Sequence, residues 1–381
     1  MQQFYLPTEI VTGRGCLSQL GRVAARYGSR ALVVCGAGFA RRSGLLDQTI
    51  DLLHQEGIAA TPFEGVHGEA ALPMVQAGID RAQEADCQVV VGLGGGSAID
   101  VAKAIAGLID QPGPLSEYHH GRKLEQPARP FIAVPTTAGT GAEVTKNAVL
   151  IDPASQVKMS IRDDRWFARV ALVDPETTVS MSPSVTASTG SDALAQAIES
   201  YTSIGASPIT DALAMRAIAL IGAYLARACE DGQDLVAREA MSMGSLMAGM
   251  AMASARLGGI HGMAHPLGSH YDIPHGVVCG LLLPVVMAYN ADYAIEKYAR
   301  IAELLDEPTD TLSPEEAAQR AVERVRELMA SIGIPAHLAP FGVQPDDFEQ
   351  IIAESLPSGS LQHNPRRLEA ADVRTLLEQA L

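Results

Sequence analysis

Apolar positions along the 381-residue chain follow two different rules. In the first half, short β-branched runs alternate with stretches of helical period. The runs are Ala31-Leu-Val-Val-Cys35, Gln88-Val-Val-Val-Gly92, Phe131-Ile-Ala-Val-Pro135 and Val170-Ala-Leu-Val-Asp174. Such alternation predicts βαβ units and a mostly parallel sheet covered by helices. Between the first two runs, Leu45-Leu-Asp-Gln-Thr-Ile-Asp-Leu-Leu53 carries a helical period and stops near Gly57, which fits a crossover helix. After about Pro183 the strand-like runs thin out. Long Ala- and Met-rich segments take over, among them Asp211–Gly222 and Glu239–Met252, and they predict an all-helical second half with methionine as core filler. The expected organisation is an α/β domain over 1–180 and a helical domain over 181–381.

Composition narrows the classes of function. A formal charge of −16 disfavours nucleic acid and anionic membranes, both of which attract clustered Lys and Arg. The N-terminus, Met1-Gln-Gln-Phe-Tyr-Leu-Pro7, lacks a basic segment followed by an apolar one. No later stretch reads as apolar for long enough to cross a bilayer, so a cytoplasmic protein is expected. The five cysteines, Cys16, Cys35, Cys87, Cys229 and Cys279, have no paired spacing. They are expected to be reduced and mostly buried, and a cysteine-based zinc site is not expected.

The sharpest local signal is Val91-Gly-Leu-Gly-Gly-Gly-Ser-Ala-Ile-Asp-Val-Ala-Lys-Ala-Ile105, a strand running through glycines straight into a helix. Gly94, Gly95 and Gly96 remove side chains that would hold a pyrophosphate off the backbone, and the helix N-terminus supplies N–H groups and a positive dipole end. Ser97 and Asp100 have the spacing of a capping box; Asp100 could instead reach a ribose hydroxyl. The bland alternative is a tight strand-to-helix turn. A second loop weakens it: Pro135-Thr-Thr-Ala-Gly-Thr-Gly-Ala-Glu-Val-Thr145 follows another strand and offers the hydroxyls of Thr136, Thr137, Thr140 and Thr145. Two such loops at strand ends match the ligand-binding edge of an open parallel sheet.

In the second half, Asp192 and Gln196 stand four apart on one predicted helix face. Gly259-Ile-His-Gly-Met-Ala-His-Pro-Leu-Gly-Ser-His-Tyr-Asp-Ile-Pro-His-Gly276 then gathers His261, His265, His270 and His275. A lone histidine in an apolar helix is commonly a hydrogen-bonded core residue, but several around one turn suit a divalent first-row metal, with Asp192, Gln196, His261 and His275 as candidate donors. His270 reads as a surface or supporting residue.

Together, Gly94–Lys103, Pro135–Thr145, Thr189-Gly-Ser-Asp-Ala-Leu194, His261-Gly-Met-Ala-His265 and Pro274-His-Gly276 resemble the iron-containing, or group III, alcohol dehydrogenase family over almost the whole chain. The resemblance implies an N-terminal dinucleotide-binding domain and a helical C-terminal domain, the plan also seen in dehydroquinate synthase-like lyases, with a metal facing the nicotinamide in the cleft between them. It implies NAD or NADP lined by Gly95, Gly96, Ser97, Asp100, Thr136, Thr137, Thr140, Asn147 and Lys158. Gly94, and Gly36 and Gly38 after the first strand, join this set. Asp192, His261 and His275 would hold Fe2+ or Zn2+, and His265 falls beside the substrate. A small alcohol or carbonyl substrate and a homodimer are also implied.

Two departures qualify the likeness. Metal-binding members usually have histidine where this chain has Gln196, a weaker neutral donor. The related maleylacetate reductases work without metal and supply the alternative reading; a decayed dinucleotide-binding site is another. After the first strand, NAD-preferring members carry an acidic residue, whereas here Cys35-Gly-Ala-Gly-Phe39 is followed by Arg41-Arg42. With no carboxylate in that segment and an arginine able to pair with a 2′-phosphate, NADP is expected as well as NAD. The chemistry expected is hydride transfer with the substrate oxygen polarised by metal, and His265 relaying the alcohol proton.

Overall fold

The computed structural model describes residues 3–155 and 157–381; Met1 and Gln2, which head the N-terminal stretch considered above, and Gln156 lie outside the described residues. Among the described residues there are two compact units. One holds Leu6–Thr137 and Gly141–Ser180; the other holds Met181–Leu381, Ala138–Thr140 and the N-terminal residues up to Tyr5. The main division falls between Ser180 and Met181, and Ala138–Thr140 cluster with the helical unit although flanked in sequence by the sheet unit.

In the sheet unit, β1 (Glu9–Thr12), β2 (Arg30–Gly36), β3 (Ala59–Val66), β4 (Val89–Gly94), β5 (Phe131–Pro135) and β8 (Val170–Val173) form one parallel sheet in the order β1-β8-β5-β4-β2-β3. β6 (Asn147–Asp152) and β7 (Val157–Arg162) form a separate antiparallel hairpin with Asn147 opposite Arg162. The four apolar runs are β2, β4, β5 and β8, buried on both faces. Three further pieces carried weaker signals: β1 has four residues, β3 includes Pro62 and Gly65, and β6 alternates buried with half-buried positions.

Alternate residues of each central strand feed opposite cores. Val33, Val91 and Ile132 pack with α1 (Leu20–Ala24) and α3 (Leu45–Gln55) through Leu20, Val23, Leu46 and Leu53. Val90 and Ala133 pack with α4 (Leu72–Glu84) and α5 (Gly96–Leu108) through Val75, Ile79, Ile99 and Ile105. Near the end of α5, a Cβ on Gly107 would come within 2.1 Å of the Trp166 ring, so the helix backbone lies directly on the indole. Two short helices, α2 (Phe39–Arg42) and α6 (Leu115–His119), complete this unit.

From β2 the chain steps outward to β3, whereas from β4 it runs the other way through β5. The reversal falls between β2 and β4, where Cys35 pairs with Leu93. Ligands of open parallel sheets settle outside the strand ends at such a reversal, and here those ends lead into Gly36 and Gly94.

The helical unit comprises α7 (Pro183–Thr202), α8 (Pro208–Glu230), α9 (Leu235–Ala255), α10 (Gly259–Tyr271), α11 (His275–Asn290), α12 (Ile295–Leu304), α13 (Pro314–Ser331), α14 (Phe348–Ser355) and α15 (Ala370–Ala380). Ser182 caps α7 by accepting from the Val185 N–H at 3.2 Å, with Pro183 in the first turn. Every residue of α7 from Gly190 to Thr202 is buried, which makes this helix the axis of the unit. Met241, Met263, Met287 and Met329 lie in its core. The expectation that no segment is apolar for long enough to cross a bilayer is corrected on length and composition. Pro208–Glu230 and His275–Tyr293 both pass that test, with 33% and 67% of their apolar windows buried. Both pack into the helical core, through Ile218, Ile221 and Leu225 and through Leu281, Leu283 and Val286.

Candidate active site

The sheet unit presents its glycines where β2 and β4 end. α5 begins at Gly96 with Gly95 as its N-cap, and no side chain caps that end. The first-turn N–H groups are thus left for a ligand, as an anion site at a helix N-terminus requires. A Cβ on Gly94 would stand 2.6 Å from the Ala98 Cβ, and one on Gly95 would stand 3.2 Å from Thr137. Thr136 donates its N–H to the Gly94 carbonyl at 2.9 Å, tying the two loops together. Gly38, with φ of 80°, turns the chain after β2 in the left-handed region.

The capping box expected between Ser97 and Asp100 does not form, because the helix starts two residues too early for Ser97 to be the cap. Asp100 instead accepts from the Val149 N–H at 3.0 Å and lies 3.6 Å from the Lys103 Nζ. Buried Lys103 donates to the carbonyls of Ala142 at 2.8 Å and Asn147 at 2.7 Å, and to Thr145 Oγ1 at 3.2 Å. Thr145 therefore anchors the loop to α5. Buried beside them is Glu143, whose carboxyl burial pushes up to about 7. Lys158 pairs with Glu69, and Ser97 is half-buried in the first turn of α5.

Arg41 does not stand free. Its guanidinium forks onto Glu64 of β3, with Nε 3.1 Å from each carboxylate oxygen and Nη2 2.7 Å from Oε1. The segment after β2 carries no carboxylate of its own, but β3, the neighbour of β2 in the sheet, brings Glu64 to this arginine.

In the helical unit, α7 carries Asp192, Gln196 and Glu199 on one face, and the first turns of α10 and α11 bring His261 and His275. A Cβ on Gly276 would sit 2.0 Å from the Ser188 carbonyl oxygen, so only glycine lets α11 start against α7. His261 Nδ1 lies 2.6 Å from Glu199 Oε2, while Glu199 Oε1 accepts from the Ile260 N–H at 2.6 Å. That leaves His261 Nε2 3.1 Å from Asp192 Oδ1, with His275 Nε2 3.8 Å from the same oxygen. A carboxylate behind an imidazole is the usual brace of a metal-binding histidine. Glu199 was missed in the sequence; its place seven residues after Asp192 was the available signal.

The structure adds Cys279, one turn beyond His275. One donor atom each from Asp192, His261, His275 and Cys279 lie within 4.8 Å of one another. Among the described residues all five cysteines are free, and only Cys229 is more than slightly exposed. Burial pushes Cys16 up to about 12 and Cys35 and Cys229 up to about 11. Burial also works against the Cys279 thiolate, but His275 and His261 outweigh it and hold this thiol below its ordinary value. Burial likewise opposes the His261 cation, yet Cys279, Glu199 and Asp192 raise its pKa well above the usual range. Asp192 and the Cys279 thiol here face positive charge on the His261 and His275 imidazoles, a charge that a divalent ion would supply in their place, so the residues present fit a metal. Gln196 lies beside Asp192, and its Oε1 is buried with no hydrogen-bond partner among the described residues. His265 stacks on His275 with ring centroids 5.4 Å apart, while His270 faces Glu354 at 2.8 Å on the surface.

Residues 7–175 match the model of the iron-containing alcohol dehydrogenases, and residues 186–381 match that of the C-terminal region of the Fe-containing alcohol dehydrogenase family. The chain is 38% identical over 382 residues to the 1,3-propanediol dehydrogenase of Citrobacter freundii, covering 100% of this chain and 99% of that one. It is 35% identical over 381 residues to the NAD-dependent methanol dehydrogenase of Bacillus methanolicus, covering 100% of both. The structure of a 1,3-propanediol oxidoreductase superposes with a TM-score of 0.97 at 38% identity and 100% coverage of both chains. The chain belongs to the iron-containing alcohol dehydrogenase family. It is accordingly an NAD-dependent oxidoreductase that interconverts an alcohol and its aldehyde or ketone, and the metal-dependent reading is favoured over the metal-free one.

Proposed function

We propose that the protein oxidises a short primary alcohol, or reduces its aldehyde, with NAD in preference to NADP, and that Asp192, His261 and His275 hold the ion. The observation that carries the metal assignment is the convergence of those three donors, Asp192 and His261 buried and His275 half-buried, with Glu199 bracing His261. Short alcohols are favoured by the names of the relatives, which act on methanol and 1,3-propanediol. The preference for NAD rests on Glu64: its carboxylate repels a 2′-phosphate, and it already occupies the Arg41 guanidinium that would otherwise pair with one.

A divalent ion at this site supplies Lewis acidity toward the substrate oxygen, and the nicotinamide supplies the hydride chemistry. The chain's own residues do the positioning. The uncapped start of α5 binds the pyrophosphate, with Gly94, Gly95 and Gly96 admitting it and Thr136, Thr137 and Thr140 offering hydroxyls. Gly36, Gly38, Ser97, Asp100, Asn147 and Lys158 complete the proposed dinucleotide set. Asp192 and Glu199 keep the His261 ring oriented, and His265 takes the alcohol proton at an imidazole nitrogen and passes it on. A cytoplasmic homodimer belongs to the same proposal, on the family likeness alone; light scattering checks the dimer.

The test is a panel of methanol, 1,3-propanediol, lactaldehyde and longer aldehydes with NAD(H) and NADP(H), run after chelation and after reloading with iron or zinc. Metal-restored turnover with NAD supports the proposal. Full turnover in the chelated protein, or preference for NADP, refutes the corresponding part.

A further inference from the structure

The expected partner of Asp192 on α7 is an amide, Gln196, and the structure offers a different donor on α11. Cys279 follows His275 by one helical turn, so both side chains lie on one face. Its Sγ is fully buried, 3.6 Å from His275 Nε2 and 3.9 Å from His261 Nε2. With metal–ligand bonds of about 2.0–2.3 Å, donors at the corners of a tetrahedron stand roughly 3.3–3.8 Å apart. The separations here are 3.1 Å for Asp192–His261, 3.8 Å for Asp192–His275, and 3.6 and 3.9 Å for the two that involve sulfur. Four edges of one tetrahedron are thus close to their coordinated lengths, and they converge from α7, α10 and α11. A second observation concerns Gln196, whose side-chain amide donates a hydrogen bond to the Asp192 carboxylate.

We propose that Cys279 is a metal ligand, completing an Asp192–His261–His275–Cys279 set in which Gln196 serves Asp192 and not the ion, and that this set selects zinc over ferrous iron. The inference rests on the metal-dependent reading above. One thiolate and one carboxylate neutralise a divalent ion, and the softer sulfur favours zinc where carboxylate and imidazole alone discriminate less. Four protein donors leave the substrate oxygen to enter as a fifth, an expansion that zinc accommodates.

The experiment replaces the native ion by cobalt(II) in the full-length protein and records the near-ultraviolet spectrum, where a thiolate-to-cobalt charge-transfer band reports a sulfur ligand. Wild type is expected to show the band; Cys279→Ser is expected to lose it and to bind zinc at least ~10-fold more weakly in chelator competition, with ferrous affinity changed less. Gln196→Ala is expected to keep the band. Stoichiometric cobalt without the band in wild type overturns the role of Cys279 and leaves the metal-dependent reading standing, and the wild-type spectrum decides this even if the serine variant does not fold. Failure of any divalent ion to bind, with turnover surviving chelation, overturns both.

Discussion

Replacing Glu143 by glutamine should change how stability depends on pH. Burial raises the Glu143 carboxyl from its ordinary 4.5 to about 7, against the opposing pull of a backbone hydrogen bond and of Lys103. Between those values the folded chain holds a proton that the unfolded chain has released, so the stability this group contributes is fully present below pH 4.5 and is lost as pH rises through about 7. The interval corresponds to about 3 kcal/mol at 1.36 kcal/mol per unit. Glu143→Gln preserves the volume and removes the titration. The difference in unfolding free energy, variant minus wild type, should therefore climb by up to ~3 kcal/mol from pH 4 to pH 8 and then level off. Urea titrations of both proteins across that range measure it, and taking the difference cancels the titrating groups that are not coupled to Glu143. A difference that stays flat, or falls, would refute the assignment of a neutral Glu143 in the folded state at acid pH.

Three further outcomes follow from the site. Glu199→Gln should weaken metal binding by about 10–100-fold in chelator competition, because His261 loses the carboxylate behind Nδ1; unchanged affinity would remove Glu199 from the metal's support. Glu64→Ser should free Arg41 and shift the ratio of kcat/KM for NADP over NAD upward by at least ~10-fold, and a constant ratio would show that the carboxylate does not discriminate. His265→Ala should lower turnover by about 10²–10⁴-fold and alter its pH profile while leaving NAD affinity intact, whereas a wild-type profile would rule out the proton relay.

What the sequence disclosed about the fold tracks the strength of each local signal. Strands buried on both faces, β2, β4, β5 and β8, appear as unbroken apolar runs, and the glycines after β4 mark a strand-to-helix turn without ambiguity. The edge strand β1, the Pro62-bearing β3 and the amphipathic β6–β7 hairpin have no such run. At the site, His261 and His275 were visible because histidines cluster in one short segment, and Asp192 because it and Gln196 share one face of an otherwise alanine-rich helix. Glu64, Glu199 and Cys279 were not, since each acquires its meaning from a partner brought up by another element. Arg41 meets Glu64 only through β2–β3 pairing, and the sulfur of Cys279 meets imidazoles, so a search for paired cysteine spacing could not find it. The Ser97–Asp100 capping box failed for a different reason: a helix that starts on glycine leaves its end bare, and Asp100 was needed to hold the hairpin.

Trp166 is the chain's single tryptophan, and it is 2% exposed beneath the backbone of α5 at Gly107. The other end of that thirteen-residue helix, roughly 15–20 Å away, is the bare N-terminus below the glycine turn. A reduced nicotinamide dinucleotide held at that N-terminus, as proposed, would stand within energy-transfer reach of this one shielded fluorophore, because its absorption overlaps indole emission. On that proposal, cofactor occupancy would be followed optically in the unlabelled protein, with no substrate present.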